Sequence, residues 1–147
     1  MPIATREANI VWEGPLASGS GTVTGGSGAL AALPVTWASR TERPDGKTSP
    51  EELIAAAHAS CFAMALSLVL GENHTPPQRL TVQATCTLDE VDGAPKITTV
   101  TLATRAHAPG LGRQAFDDAV ERAAALCPVS NALRGNVEIS VRSELEG

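Results

Sequence analysis

The residues of this chain with the most reactive chemistry on offer are its three cysteines. Cys61 stands in "SPEELIAAAHASCFAMALSLVLG", within a stretch from Leu53 to Leu70 that carries no formal charge. Cys127 ends "GRQAFDDAVERAAALC", directly before Pro128, and Cys86 lies in the alternating run "TVQATCTL". A thiol beside Ala and Met on a helix is most often small apolar filler, and so is a thiol within a strand such as Cys86. Cys61 and Cys127 together open another reading: two thiols on two helices, facing one cleft, can alternate between dithiol and disulfide. His58, one turn before Cys61, can act as a base, serve in a His-x-x-Cys metal site, or simply line a pocket. Zinc needs four ligands at recognisable spacing, and His74 and His107 are the only further histidines, so the pocket-lining role is favoured.

The elements that must position these thiols are legible in outline. "ANIVWEG" alternates loosely and ends at Gly14 as a first strand. "SGSGTVTGGSGAL" reads as a short strand among turns, "LPVTWASR" as another β-prone run, and "TERPDGKTSP" as a loop. The Cys61 helix then opens with Ser49 as N-cap, Pro50 at the first position, and Glu51 and Glu52 in the first turn, where they complement the helix dipole. Glu52, three residues after Ser49, completes a capping-box pattern, and Gly71 is the expected stop. "RLTVQATCTLDEV" and "KITTVTLATRAHA" alternate across Asp92-Gly93 and predict a hairpin. Phe116, Val120, Ala123 and Ala124 recur at helical spacing in a second, amphipathic helix that Pro128 stops. "VSNALRG" follows as a short helical piece and "NVEISVRSEL" as a last strand. This order predicts an α+β fold in one domain spanning residues 1–147.

Composition narrows the function. With 43% hydrophobic and 18% charged residues the chain should fold. A net charge of −5 without a basic run, two Trp, two Phe and no Tyr argue against nucleic acid as partner. The N-terminus lacks the apolar core of a signal peptide, and three cysteines are sparse and odd in number, so a reducing cytoplasm is expected. The Leu53–Leu70 stretch is long enough for a membrane span. Its Ala content, its polar His58, Ser60 and Ser67, and its Glu51, Glu52 and Glu72 flanks without Lys or Arg favour a buried helix of a soluble protein. A helix apolar all round needs cover on both sides, and its Ala and Ser residues allow close approach of another backbone. A symmetric dimer burying it is the expectation.

"SPEELIAAAHASCF" and "ALCPVSNAL" resemble, in order and in the span between them, the two cysteine motifs of the OsmC/Ohr family of organic hydroperoxide reductases, closer to the OsmC branch. "ANIVWEG" resembles that family's first strand. The resemblance implies an OsmC-like fold: an intertwined homodimer with two long central helices wrapped by β-sheets. It implies Cys61 as peroxidatic and Cys127 as resolving cysteine, Glu51 as the carboxylate of the Pro-Glu motif, and Arg40 as the active-site arginine, with Arg43 close by. It implies an organic hydroperoxide substrate, reset by an external dithiol, and no metal or flavin cofactor.

The chemistry suits these residue types. A thiol attacks peroxide as thiolate, which apolar burial disfavours and a guanidinium favours. Glu51 can hold the guanidinium plane by paired hydrogen bonds. Ten helical residues separate Glu51 and Cys61 by about 15 Å, so either Arg40 bridges much of that gap or Glu51 serves a partner's cysteine. A sulfenic acid at Cys61 would then condense with Cys127 to a disulfide. Two competitors stand beside this reading. A disulfide oxidoreductase would act on protein substrates, although no Cys-x-x-Cys motif is present. A hydrophobic ligand carrier would bind without consuming peroxide.

Overall fold

A computed structural model describes residues 1–146. The chain divides into two compact units, Met1–Leu53 and the remainder from Ile54.

The first unit is built on an antiparallel sheet, β1 (Ala8–Glu13), β2 (Ser20–Gly25) and β3 (Leu33–Val35), in that order. Gly21 pairs with Trp12 on one side and Val35 on the other. A Cβ there would sit 2.9 Å from the side chains of Ile10, Trp12 and Val35, so only glycine lets these three meet over the middle strand. The expected β-run "LPVTWASR" ends at Val35, because Thr36 begins a short helix, α1 (Trp37–Thr41). The Thr36 hydroxyl accepts the Ser39 N–H at 3.0 Å, and the Ser39 hydroxyl accepts the Thr36 N–H at 2.9 Å. This reciprocal cap satisfies two otherwise orphaned donors and outweighs a weak strand preference.

The long helix α2 (Pro50–Glu72) starts in this unit and continues into the next. Ser49 caps it, its hydroxyl accepting the Glu52 N–H at 3.1 Å. Only that half of the expected capping box forms, since the Glu52 carboxylate instead accepts the Thr48 hydroxyl at 2.6 Å. The helix also runs past Gly71. It closes in a Schellman turn, with Thr75 N–H bonded to Leu70 O at 2.9 Å and His74 N–H to Gly71 O at 3.1 Å. His74, not a glycine, takes the left-handed position at φ 60°.

In the second unit β4 (Arg79–Val91) and β5 (Ala94–His107) form the expected hairpin. Asp92 at φ 53° and Gly93 at φ 79° make the turn with the double positive φ that matches strand twist. The chain then passes through α3 (Arg113–Leu126) and α4 (Pro128–Leu133) before β6 (Glu138–Glu146) returns parallel to β5. A parallel return needs such a crossover. Phe62, Leu66, Val69 and Leu70 of α2 bury together with Val100, Leu102 and Ala106 of β5 and Phe116, Val120 and Ala123 of α3. The architecture is α+β, with sheets and helices in separate stretches of chain.

Helix α2 is not wholly buried within the chain. One third of its apolar window is enclosed, while Met64 and Leu68 remain 72% and 57% exposed. Exposed Ala56, Ala57 and Ser60 extend the same stripe toward the N-terminus. Among the described residues it is the one helix long and apolar enough to cross a membrane by length and composition. Its enclosed face is part of the core just described.

Candidate active site

Four successive residues at the start of α4 build the thiol centre, and each has a different task. Cys127 is fully buried at the junction where α3 ends and α4 begins, its N–H still bonded to Ala123 O at 2.9 Å. Pro128 takes the first helical position, where its missing N–H costs nothing. It therefore starts a helix as well as stopping one. Val129 has a first-turn N–H with no partner inside its own helix, and it lies near enough to the Cys61 sulfur to favour the thiolate. Ser130, also buried, places its hydroxyl 2.7 Å from His58 Nε2.

Cys61 faces this turn from α2, partly exposed, and its thiol is close enough to that of Cys127 for the two to interact. The structure thus brings together the two cysteines that the sequence singles out, both as unbridged thiols. Burial pushes the Cys61 pKa above its ordinary value of 9.0, and the Cys127 thiol, through its contact and its charge when ionised, pushes it further the same way. The Val129 N–H works in the opposite direction, because it stabilises the thiolate.

The second pair lies in the first unit. Arg40 Nε donates to both Glu51 oxygens, at 2.7 and 3.2 Å, and its guanidinium carbon stands 5.8 Å from the centre of the Trp37 ring. Glu51 is buried, whereas Arg43 is exposed and makes no ion pair among the described residues. The contact is one N–H shared between two oxygens instead of the expected fork. Both Nη groups of Arg40 are consequently left without a protein acceptor among the described residues. Upstream hydrogen bonds hold this geometry. Ser39 Oγ lies 2.9 Å from Thr48 O, and Thr48 N–H reaches Pro34 O at 2.8 Å, so α1 and the start of α2 are tied to β3.

The remaining candidates resolve differently. Cys86 sits on β4 opposite Val100 and packs against the core. His58 is fully buried, and burial lowers its pKa, so it is neutral near pH 7. Its Nε2 is engaged by Ser130, while Nδ1 has no partner among the described residues. No cluster of three or more His, Cys, Asp or Glu suited to a metal occurs among the described residues. Sequence reasoning missed Val129 and Ser130. The available signal was Pro128, which at a first helical position makes the next residues a first turn with free donors.

These elements define an α+β protein whose two thiols meet between a long apolar helix and a short proline-initiated one. Residues 43–142 match the family described as OsmC-like protein. Peroxiredoxin OsmC of Escherichia coli strain K12 is 42% identical over 128 residues, covering 87% of this chain and 89% of the relative. The organic hydroperoxide resistance protein OhrB of Bacillus subtilis superposes with a TM-score of 0.72 at 30% identity, covering 95% of this chain and 98% of its own. The organic hydroperoxide resistance protein OsmC of Legionella pneumophila gives 0.75 at 26% identity, covering 98% and 99%. The chain belongs to the OsmC-like protein family.

Two of the causes that raise the Cys61 pKa come from Cys127. Cys127→Ala should therefore lower it, and the pH profile of Cys61 alkylation, read by peptide mass spectrometry, should move to lower pH than in wild type. An unmoved profile would mean that the two thiols do not interact.

Proposed function

We propose that this chain is a thiol-dependent peroxidase that reduces organic hydroperoxides to alcohols, as a cytoplasmic homodimer of a single OsmC-like domain spanning residues 1–147. The observation that carries this reading is the contact between the Cys61 and Cys127 thiols. It is joined by the organic hydroperoxide resistance proteins among the relatives.

Cys61 is the peroxidatic residue. Its thiolate attacks one peroxide oxygen, the O–O bond breaks, and the alkoxide leaves as alcohol after taking up a proton, with sulfenic acid remaining on Cys61. Cys127 resolves it. Its sulfur bonds to that of Cys61 while the hydroxyl leaves as water with the thiol proton. An external dithiol returns both cysteines to thiols by exchange. Because burial holds the Cys61 pKa up, the site needs a cation that cannot lose its proton, and Arg40 is the candidate. Glu51 and Trp37 orient it through Nε and the ring face, and its Nη donors stay available for a thiolate or a peroxide oxygen. Ala57, Ala65 and Met64 on neighbouring turns of α2 make the surroundings of Cys61 apolar, which favours alkyl hydroperoxides over hydrogen peroxide.

The cysteine series tests the mechanism. After one equivalent of cumene hydroperoxide, wild type should lose two hydrogens through a Cys61–Cys127 disulfide. Cys127→Ser should gain oxygen at Cys61, and Cys61→Ser should consume no peroxide. Cys86→Ser should keep turning over. A disulfide to Cys86, or an active Cys61→Ser protein, would overturn the assignment.

For the arginine, Arg40→Ala should slow peroxide attack by about 100-fold, the scale of losing one donor to a transition state. Arg43→Ala should leave it near wild type, and the reverse outcome would move the role to Arg43.

The homodimer reading rests on the exposed apolar stripe of Ala56, Ala57, Ser60, Met64 and Leu68. Its small residues allow a second helix to approach closely, and an uncovered apolar helix face is costly in water. Sedimentation should give a dimer at micromolar concentration, and a stable folded monomer would refute it.

A further inference from the structure

We propose that the buried His58–Ser130 hydrogen bond is a positioning device for the resolving half-reaction. It holds the Cys127 end of α4 against the Cys61 turn of α2, so that a sulfenic acid is captured as disulfide before a second peroxide oxidises it. This inference rests on the reading above that Cys61 and Cys127 form the working disulfide.

The placement is specific. His58 precedes Cys61 by three residues on α2, and Ser130 follows Cys127 by three residues on α4. The same two helical turns are thus joined twice, once through sulfur and once through the 2.7 Å contact between His58 Nε2 and Ser130 Oγ. Only the sulfur link takes part in the chemistry. When the disulfide forms, both sulfurs lose their protons and their mutual contact becomes a covalent bond. The His58–Ser130 bond includes none of the reacting atoms, so the chemistry does not require it to break.

Such a fixed link is useful because disulfide closure is geometrically strict. The Cα atoms must lie about 4.4–6.8 Å apart and the torsion about the S–S bond must fall near a right angle. Cys127 occupies an extended residue between two helices, with its N–H bonded to Ala123 O and its C=O to the Asn131 N–H, so its position relative to Cys61 follows how the start of α4 is held against α2. His58 is suited to the task. Ser130 is its one hydrogen-bond partner among the described residues, since Nδ1 has none, so the ring's polar anchoring depends on this contact alone. Both groups are shut off from water, which would otherwise compete for the bond. Whichever of the two donates, the neutral imidazole has a suitable tautomer.

The test uses the full-length protein in Ser130→Ala, which removes the hydroxyl, and His58→Phe, which keeps an aromatic ring and removes the nitrogens. Ser130→Thr keeps a hydroxyl and serves as the rescue. Reduced protein is mixed with cumene hydroperoxide in rapid-quench format, and mass spectrometry follows Cys61 oxidation and disulfide formation separately. Both removal variants should keep the first step within about twofold of wild type and slow disulfide formation by about tenfold or more, as expected when reacting atoms are displaced by a fraction of an ångström to an ångström. With excess peroxide they should accumulate sulfinic acid at Cys61, and Ser130→Thr should restore the wild-type ratio. Disulfide formation at the wild-type rate in either folded variant overturns the proposal. So does equal slowing of both steps, or a failure of both variants to fold, because the bond would then serve stability alone. If wild type itself forms no Cys61–Cys127 disulfide, the peroxidase reading fails instead.

Discussion

The contact between the Cys61 turn of α2 and the first turn of α4 sets the surroundings of the Cys61 thiol. Apolar surroundings hold the Cys61 thiol protonated, and the neighbouring Cys127 thiol adds to that tendency. One backbone donor, the Val129 N–H, opposes them. It can do so because a helix leaves its first N–H groups without internal partners, and α4 begins immediately beside the sulfur. Pro128 makes this possible without leaving a further orphan donor, having none of its own. Cys127, Val129 and Ser130 each then have a partner on α2, so the short helix and its N-cap residue together reach that element at three points.

The Arg40–Glu51 pair is assembled by a separate and largely local set of interactions. The reciprocal cap between Thr36 and Ser39 starts α1, Ser39 also bonds to Thr48, and Thr48 hydroxyl engages Glu52. Arg40 and Glu51 meet because their two helices are pinned at adjacent ends. Trp37, one turn before Arg40, lies under the guanidinium and limits the planes it can adopt. Using only Nε for the carboxylate leaves all four Nη N–H bonds available, whereas a fork would have engaged at least one of them.

Helix α2 has two apolar faces with different fates. Phe62, Leu66, Val69 and Leu70 anchor the core of the second unit, while Met64 and Leu68 stay open. Cys61 stands between these faces, partly exposed, and remains reachable from outside the chain's own core. A cysteine moved one position along, to where Phe62 sits, would be sealed from any substrate.

Elements set by neighbours in sequence were legible from the residues alone. The hairpin at Asp92-Gly93, the Ser49-Pro50 start of α2 and the Phe116 face of α3 follow from turn geometry, capping and periodicity, all local effects. The motif resemblance likewise supplied Cys61, Cys127, Arg40 and Glu51 as the residues of interest. Other features needed the folded chain. Thr36 and Ser39 turned a β-prone run into α1, and Glu52 chose Thr48 over the backbone of its own cap. His74 displaced Gly71 as the closing residue because the Schellman turn, not glycine content, satisfied the last carbonyls. The bond between His58 and Ser130 spans 72 residues, and no local pattern encodes a partner at that distance. The sequence by itself determined which groups could ionise, donate or attack. Which of them meet, and how burial shifts their chemistry, was decided by tertiary structure, because both depend on distances and on exclusion of water that arise only when remote segments pack.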